Sequence, residues 1–111
     1  MLKKLTQEYI NALNSKDLNK LESLLDDDFS LEDPITIKLK GKKDCLKVYE
    51  DMFKHNTIEF KPRSIYQDGN VTFVEFDLKL SDLNLRGVDL IIWKDEKILE
   101  RRAYIDVPKI L

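Results

Sequence analysis

Leu2, Leu5, Tyr9, Ala12 and Leu13 recur at helical spacing with polar residues between them, which predicts an amphipathic helix over residues 3 to 14 with Tyr9 on its buried face. Asn14-Ser15-Lys16 interrupts the pattern. Asp17 is placed to cap a second short helix whose stripe is Leu18, Leu21, Leu24 and Leu25, and Asp26 to Asp28 end it. Phe29 to Pro34 then alternates apolar and polar residues, and Pro34 biases Asp33 toward an extended backbone, at a strand end or a turn. Beyond Gly41, the positions Cys45, Val48, Tyr49, Met52 and Phe53 make a third amphipathic helix ending near His55-Asn56, with Tyr49 facing inward.

The second half changes period. Residues 57 to 66, 71 to 80, 85 to 94 and 97 to 106 read as four consecutive antiparallel strands, with Asp68-Gly69-Asn70 as the strongest hairpin signal between them. Helices followed by a meander make an α+β fold, with three N-terminal helices packed on an antiparallel sheet.

The length of 111 residues allows one domain, 1 to 111, and one core. Nineteen basic and 21 acidic residues are interspersed to a net charge of −2, so the one-signed field of a nucleic-acid binder is missing. The single cysteine, Cys45, excludes an internal disulfide, and with one histidine the usual zinc constellations cannot be assembled. No apolar run resembles a signal peptide or a membrane span, which makes a cytoplasmic location the expectation.

Four polar side chains fall on positions that the pattern turns inward: Tyr9, Tyr49, Asp33 and Asp89. Asp89 lies in Gly87-Val88-Asp89-Leu90-Ile91-Ile92-Trp93, the most apolar run of the chain, so it is either paired or neutral. Arg101 or Arg102, across the hairpin, would be the partner in a structural ion pair. The tyrosines can equally be core aromatics with satisfied hydroxyls, and Asp33 before a proline can be a turn residue. His55 at a helix end suits the helix dipole.

The stretch from Glu8 to Asp33 with the following Pro34, then Gly41 and Tyr49, then Gly87-Val88-Asp89, together resemble the ketosteroid isomerases. These lie within the nuclear-transport-factor-2-like superfamily, beside the SnoaL-like polyketide cyclases. The resemblance implies a cystatin-like, cone-shaped α+β barrel, three helices on a curved antiparallel sheet enclosing one apolar, acid-lined pocket for a small molecule, and a cofactor-free double-bond shift in a β,γ-unsaturated ketone. Asp33 would be the general base, Tyr9 and a neutral Asp89 the oxyanion donors, and Tyr49 the support of Tyr9. Phe53, Trp93 and Ile105 are expected around the pocket. Asp106 is a second possible base, as polyketide-cyclase-like members place one late in the last strand, or else a solvated acid. An epoxide-opening set of Asp89, Arg101 or Arg102, and Asp33 is a further reading.

The expected ligand is small and hydrophobic or carbonyl-containing, with no metal or organic cofactor implied. A charged side chain entering the cone would favour something smaller or more polar than a steroid. A homodimer through the outer sheet face is expected, with Val74, Phe76, Leu78 and Leu80 serving either that interface or the core. The rival from another class is a non-catalytic ligand-binding or dimerisation module.

Overall fold

A computed structural model describes residues 1–106. Helix α1 spans Leu2–Ser15 and ends on Lys16, whose left-handed backbone (φ 55°) turns the chain back. Helix α2, Leu18–Leu24, starts on Asp17, whose carboxylate accepts the Lys20 amide at 3.0 Å. The acidic run after it does not leave the regular structure: Asp26, Asp27 and Asp28 belong to strand β1, Leu25–Asp33. A short strand β2, Ile37–Lys40, folds back on β1, and α3 follows over Lys42–His55. The meander is β3 Ile58–Asp68, β4 Val71–Leu80, β5 Leu83–Lys94 and β6 Lys97–Asp106.

The six strands form one sheet in the order β2-β1-β6-β5-β4-β3. Two sequence expectations are corrected here. The sheet is mixed, because β1 lies parallel to β6, with Leu31 beside Arg101 and Glu32 beside Arg102. It is also open, since β2 and β3 are its two edges, so the cone is a curved sheet roofed by helices and not a closed barrel. Local alternation reports that a strand exists. It carries no information on a neighbour about seventy residues away along the chain.

The inner face of the sheet makes the core. Phe29 and Leu31 of β1, Val74 and Phe76 of β4, and Ile91 of β5 are buried against Tyr9, Ile10 and Leu13 of α1 and against Cys45, Tyr49 and Phe53 of α3. This answers the choice left for the β4 apolar set: Val74 and Phe76 are core, with Leu78 packed against it. Trp93 is core as well, its indole N–H donating to the Thr72 hydroxyl at 2.9 Å, and Thr72 in turn meets the Thr6 hydroxyl of α1 at 2.9 Å. Gly87 permits the close approach of β5 and β6, because a Cβ there would stand 2.2 Å from the Tyr104 carbonyl oxygen.

Candidate active site

A cavity of about 320 Å³ lies between α3 and the inner sheet face. Its polar walls are Asp33 at the end of β1, Thr36 on the turn after it, Tyr49, Asp51 and His55 on α3, Asn56 just beyond that helix, and Arg101 on β6. Leu78 and Leu80 of β4, Leu83 and Leu85 of β5, and Ile58 and Phe60 of β3 supply an apolar wall, and Ile105 lies beside Arg101 on β6. Alternation along β6 explains this selection: Arg101 and Ile105 point inward while Tyr104, between them, is exposed.

Three of the four singled-out residues and Arg101 form a connected polar unit. The Tyr9 and Tyr49 hydroxyls are 2.7 Å apart, and Arg101 Nη1 donates to Tyr49 across 3.4 Å. Arg101 Nη2 donates to Asp89 Oδ1 at 3.1 Å, and the guanidinium carbon sits 6.0 Å from the Tyr9 ring centre, at the reach of a cation–π contact. Register makes the ion pair possible. Asp89 pairs with Ala103, two residues from Arg101, so the long side chain reaches it diagonally over a methyl group. On the other side of β6, Asp33 follows directly on the Glu32–Arg102 pair.

Asp33 accepts the backbone N–H groups of Ile35 at 2.8 Å and Thr36 at 2.6 Å through Oδ1. It is therefore a turn builder and a cavity wall at once.

The electrostatics follow from burial. Both tyrosine hydroxyls are pushed above their ordinary pKa, chiefly by loss of solvent, which the nearby Arg101 cation partly offsets. Burial likewise raises Asp89, against the lowering effect of Arg101, and the charge of Asp33 adds to the rise. Burial opposes the Arg101 cation, but Asp89 and the tyrosines outweigh it and hold the guanidinium firmly protonated.

Several expected positions differ. Asp89 and Tyr9 are fully buried and are not among the cavity walls; Arg101 and Tyr49 stand there. Asp89 meets Arg101, one of the two partners that the sequence offered it, and of the two tyrosines Tyr49 stands at the cavity wall with Tyr9 behind it. Phe53 packs on Tyr49 with ring centres 6.5 Å apart and does not line the cavity, nor does Trp93. Asp106 is exposed and opens on outer grooves of the sheet, because it follows Ile105 onto the opposite face. His55 does reach the cavity rim, where it meets Asp51 at 3.3 Å. The sequence signal for Arg101 was its place across the hairpin from Asp89. Nothing local marked Ile35 and Thr36 as cavity residues.

Among the described residues no three His, Cys, Asp or Glu side chains gather closely enough to hold a metal ion. None of their helices is long and apolar enough to cross a membrane.

The family described as a SnoaL-like domain matches residues 6–101. No protein of curated function matches the sequence. Among solved structures, a candidate ketosteroid isomerase from Kribbella flavida superimposes with a TM-score of 0.87 at 21% identity, covering 99% of this chain and 81% of its own. An NTF2-like protein of unknown function from Cytophaga hutchinsonii gives 0.85 at 17%, covering 96% and 90%. An LEH-like epoxide hydrolase from M. tuberculosis gives 0.80 at 21%, covering 93% and 80%. At these identities the likeness establishes the NTF2-like fold.

Proposed function

Because the chain belongs to the SnoaL-like domain family, we propose from the chemistry of its cavity that it transfers a proton next to a ketone carbonyl, shifting a carbon–carbon double bond. The observation that carries this reading is that Asp33, Arg101 and Tyr49 face one largely apolar cavity. Asp33 Oδ1 is held by two backbone N–H groups, which leaves Oδ2 to take the proton from the carbon beside the carbonyl. The electron pair of that C–H bond moves into the enolate, whose oxygen accepts hydrogen bonds from Arg101 and Tyr49. Asp33 then returns the proton to the far end of the conjugated system, so nothing is consumed. Asp89 acts behind the cavity as the counter-charge that fixes Arg101, and Tyr9 orients Tyr49.

The test is the absorbance change of a β,γ-unsaturated ketone on conversion to its conjugated isomer, with Asp33→Asn alongside. Turnover abolished in the folded variant supports the base assignment. Ligand binding without turnover, unchanged by Asp33→Asn, marks a silent binding module instead.

A second reading has one observation in its favour: the Asp89–Arg101 pair and Asp33 sit together, as an epoxide-opening set would. There Asp33 would activate a water that adds to a ring carbon as the C–O bond breaks toward a donor, giving a diol. An epoxide supplied in place of the ketone separates the two.

The outer sheet face supports a homodimer. Tyr66, Val88 and Tyr104 are exposed there, 65%, 39% and 56%. Sedimentation of the wild type against Val88→Glu tests the dimer: a monomer in both excludes it.

A further inference from the structure

Asn56, the residue that ends α3, joins three parts of the chain beside the cavity. Its Nδ2 donates to the Met52 carbonyl of the helix's last turn at 3.2 Å, and its Oδ1 accepts the Ser81 hydroxyl, in the turn between β4 and β5, at 3.0 Å. Its main-chain carbonyl accepts the Lys16 ammonium from the turn between α1 and α2. One residue on, the Thr57 carbonyl accepts the Ser81 amide at 2.9 Å.

Both turns are built from unusual residues. Lys16 has φ 55° and Ser81 φ 56°, a left-handed backbone at which glycine is the ordinary choice because a Cβ crowds the following carbonyl oxygen. Glycine could hold either turn but could not reach Asn56, whereas the lysine ammonium and the serine hydroxyl both do. Two disfavoured backbones kept for side chains that converge on one residue point to a contact with a use.

The surroundings indicate what that use is. Met52, His55 and Asn56 line the cavity from α3, Leu80 and Leu83 line it from either side of Ser81, and Leu13 lines it from the end of α1. The Asn56–Ser81 bond thus ties the helix that carries Tyr49 to the leucine hairpin and fixes how far apart they stand. The polar unit of Tyr9, Tyr49, Arg101 and Asp89 is held by its own bonds. Helix α1 is tied to β3 separately, by Asn14 bonding the Phe60 amide at 2.7 Å and its carbonyl at 2.9 Å. Cutting the Asn56 contacts therefore leaves the reactive groups and the main packing in place.

We propose that Asn56 is a positioning residue: by clasping the two turns to the end of α3, it holds the leucine hairpin at the distance from Tyr49's helix at which an apolar ligand is gripped from both sides. The clasp acts on ligand retention and not on the chemical step. Only its effect on KM rests on the proton-transfer reading.

Two titrations of the full chain test it. The neutral fluorescent amine N-phenylnaphthylamine reports uptake into an apolar cavity without turnover, and the β,γ-unsaturated ketone assay gives KM and kcat. Asn56→Ala, which removes both side-chain bonds, is expected to weaken dye binding about tenfold and to raise KM by a similar factor, with kcat changing less than about twofold. Ser81→Gly removes the hydroxyl but relieves the left-handed backbone. Its melting temperature is expected to stay within about 5 °C of wild type while dye binding weakens about fivefold. A merely structural role would lower the amount of folded protein and leave Kd and KM where they are. Dye affinity unchanged in Ser81→Gly, a fall in kcat as large as the rise in KM, or no dye uptake by the wild type overturns the proposal. If dye binding weakens as expected and no ketone is turned over, the proton-transfer reading falls and the clasp stands. If turnover is found and neither variant alters KM or dye binding, the clasp falls and the reading stands.

Discussion

Asp89 and Arg101 meet through one hydrogen bond, 3.1 Å from Nη2 to Oδ1, while Asp89 Oδ2 and Arg101 Nε, both buried, have no partner among the described residues. A bidentate pair would satisfy both carboxylate oxygens and turn the guanidinium fully toward Asp89. The single contact keeps Nη1 directed at Tyr49 and the cavity. Part of the pair's hydrogen-bonding capacity is thus left unused while the guanidinium stays at the cavity wall.

Removing one member of the pair leaves the other as an uncompensated buried charge. Asp89→Leu is therefore expected to lower stability by about 3–5 kcal/mol, and Asp89→Leu with Arg101→Met to recover most of it, because the double variant replaces the pair with apolar atoms. Urea unfolding of the three proteins measures this. A double variant as unstable as the single one would show that packing around Ala103, and not charge, sets the cost.

Substitution at Asp33 can separate the turn from the proposed chemistry. Asn at this position keeps an Oδ1 that accepts the Ile35 and Thr36 amides, so Asp33→Asn is expected to cost under ~1 kcal/mol while lowering turnover by about 10²–10⁴-fold. Asp33→Ala loses the turn as well, and a further ~1 kcal/mol with it. A melt of each variant beside the absorbance assay distinguishes the two effects.

Tyr49 faces the cavity and Tyr9 stands behind it, 2.7 Å away. Tyr49→Phe is accordingly expected to lower kcat about 10- to 100-fold by removing an oxyanion donor, and Tyr9→Phe less than tenfold, since it removes only the group that orients the donor. Equal losses in kcat would place both hydroxyls on the substrate. A loss in the Tyr9 variant alone would restore the order that the sequence resemblance implies.

What was legible in the chain follows from range. Helical stripes such as Leu2-Leu5-Tyr9-Ala12-Leu13 and the alternation of β4 are local, and α1, α3 and the meander stand within about two residues of their expected bounds. Strand β2 escaped because Ile37-Lys38-Leu39-Lys40 is only four residues long and its pairing with β1 supplies what its own pattern lacks. At the site, burial of Asp89 was legible from its apolar run, and so were its two candidate partners. Which arginine wins depends on the strand faces: Arg101 is on the inner one, and Arg102 instead bonds Glu100 at 3.0 Å. That Tyr49 and not Tyr9 lines the cavity was not legible, because both lie on inward helix faces and only the packed helices decide which is nearer.

Acid titration reads the same pair through stability. Burial raises the Asp89 pKa above its ordinary 3.8, against the pull of Arg101. A carboxyl with a raised folded pKa binds its proton more tightly when folded than when unfolded. Its contribution is then fully present below about pH 4 and is lost as pH rises through the folded value, after which it is flat. The stability of wild type minus that of Asp89→Asn, with the other titrating groups common to both, is expected to fall across that window and level off, and the pH at which it levels off reports the folded pKa. A difference that grows as pH rises would mean that the guanidinium outweighs burial, and that the single 3.1 Å bond compensates the buried charge more fully than its geometry implies.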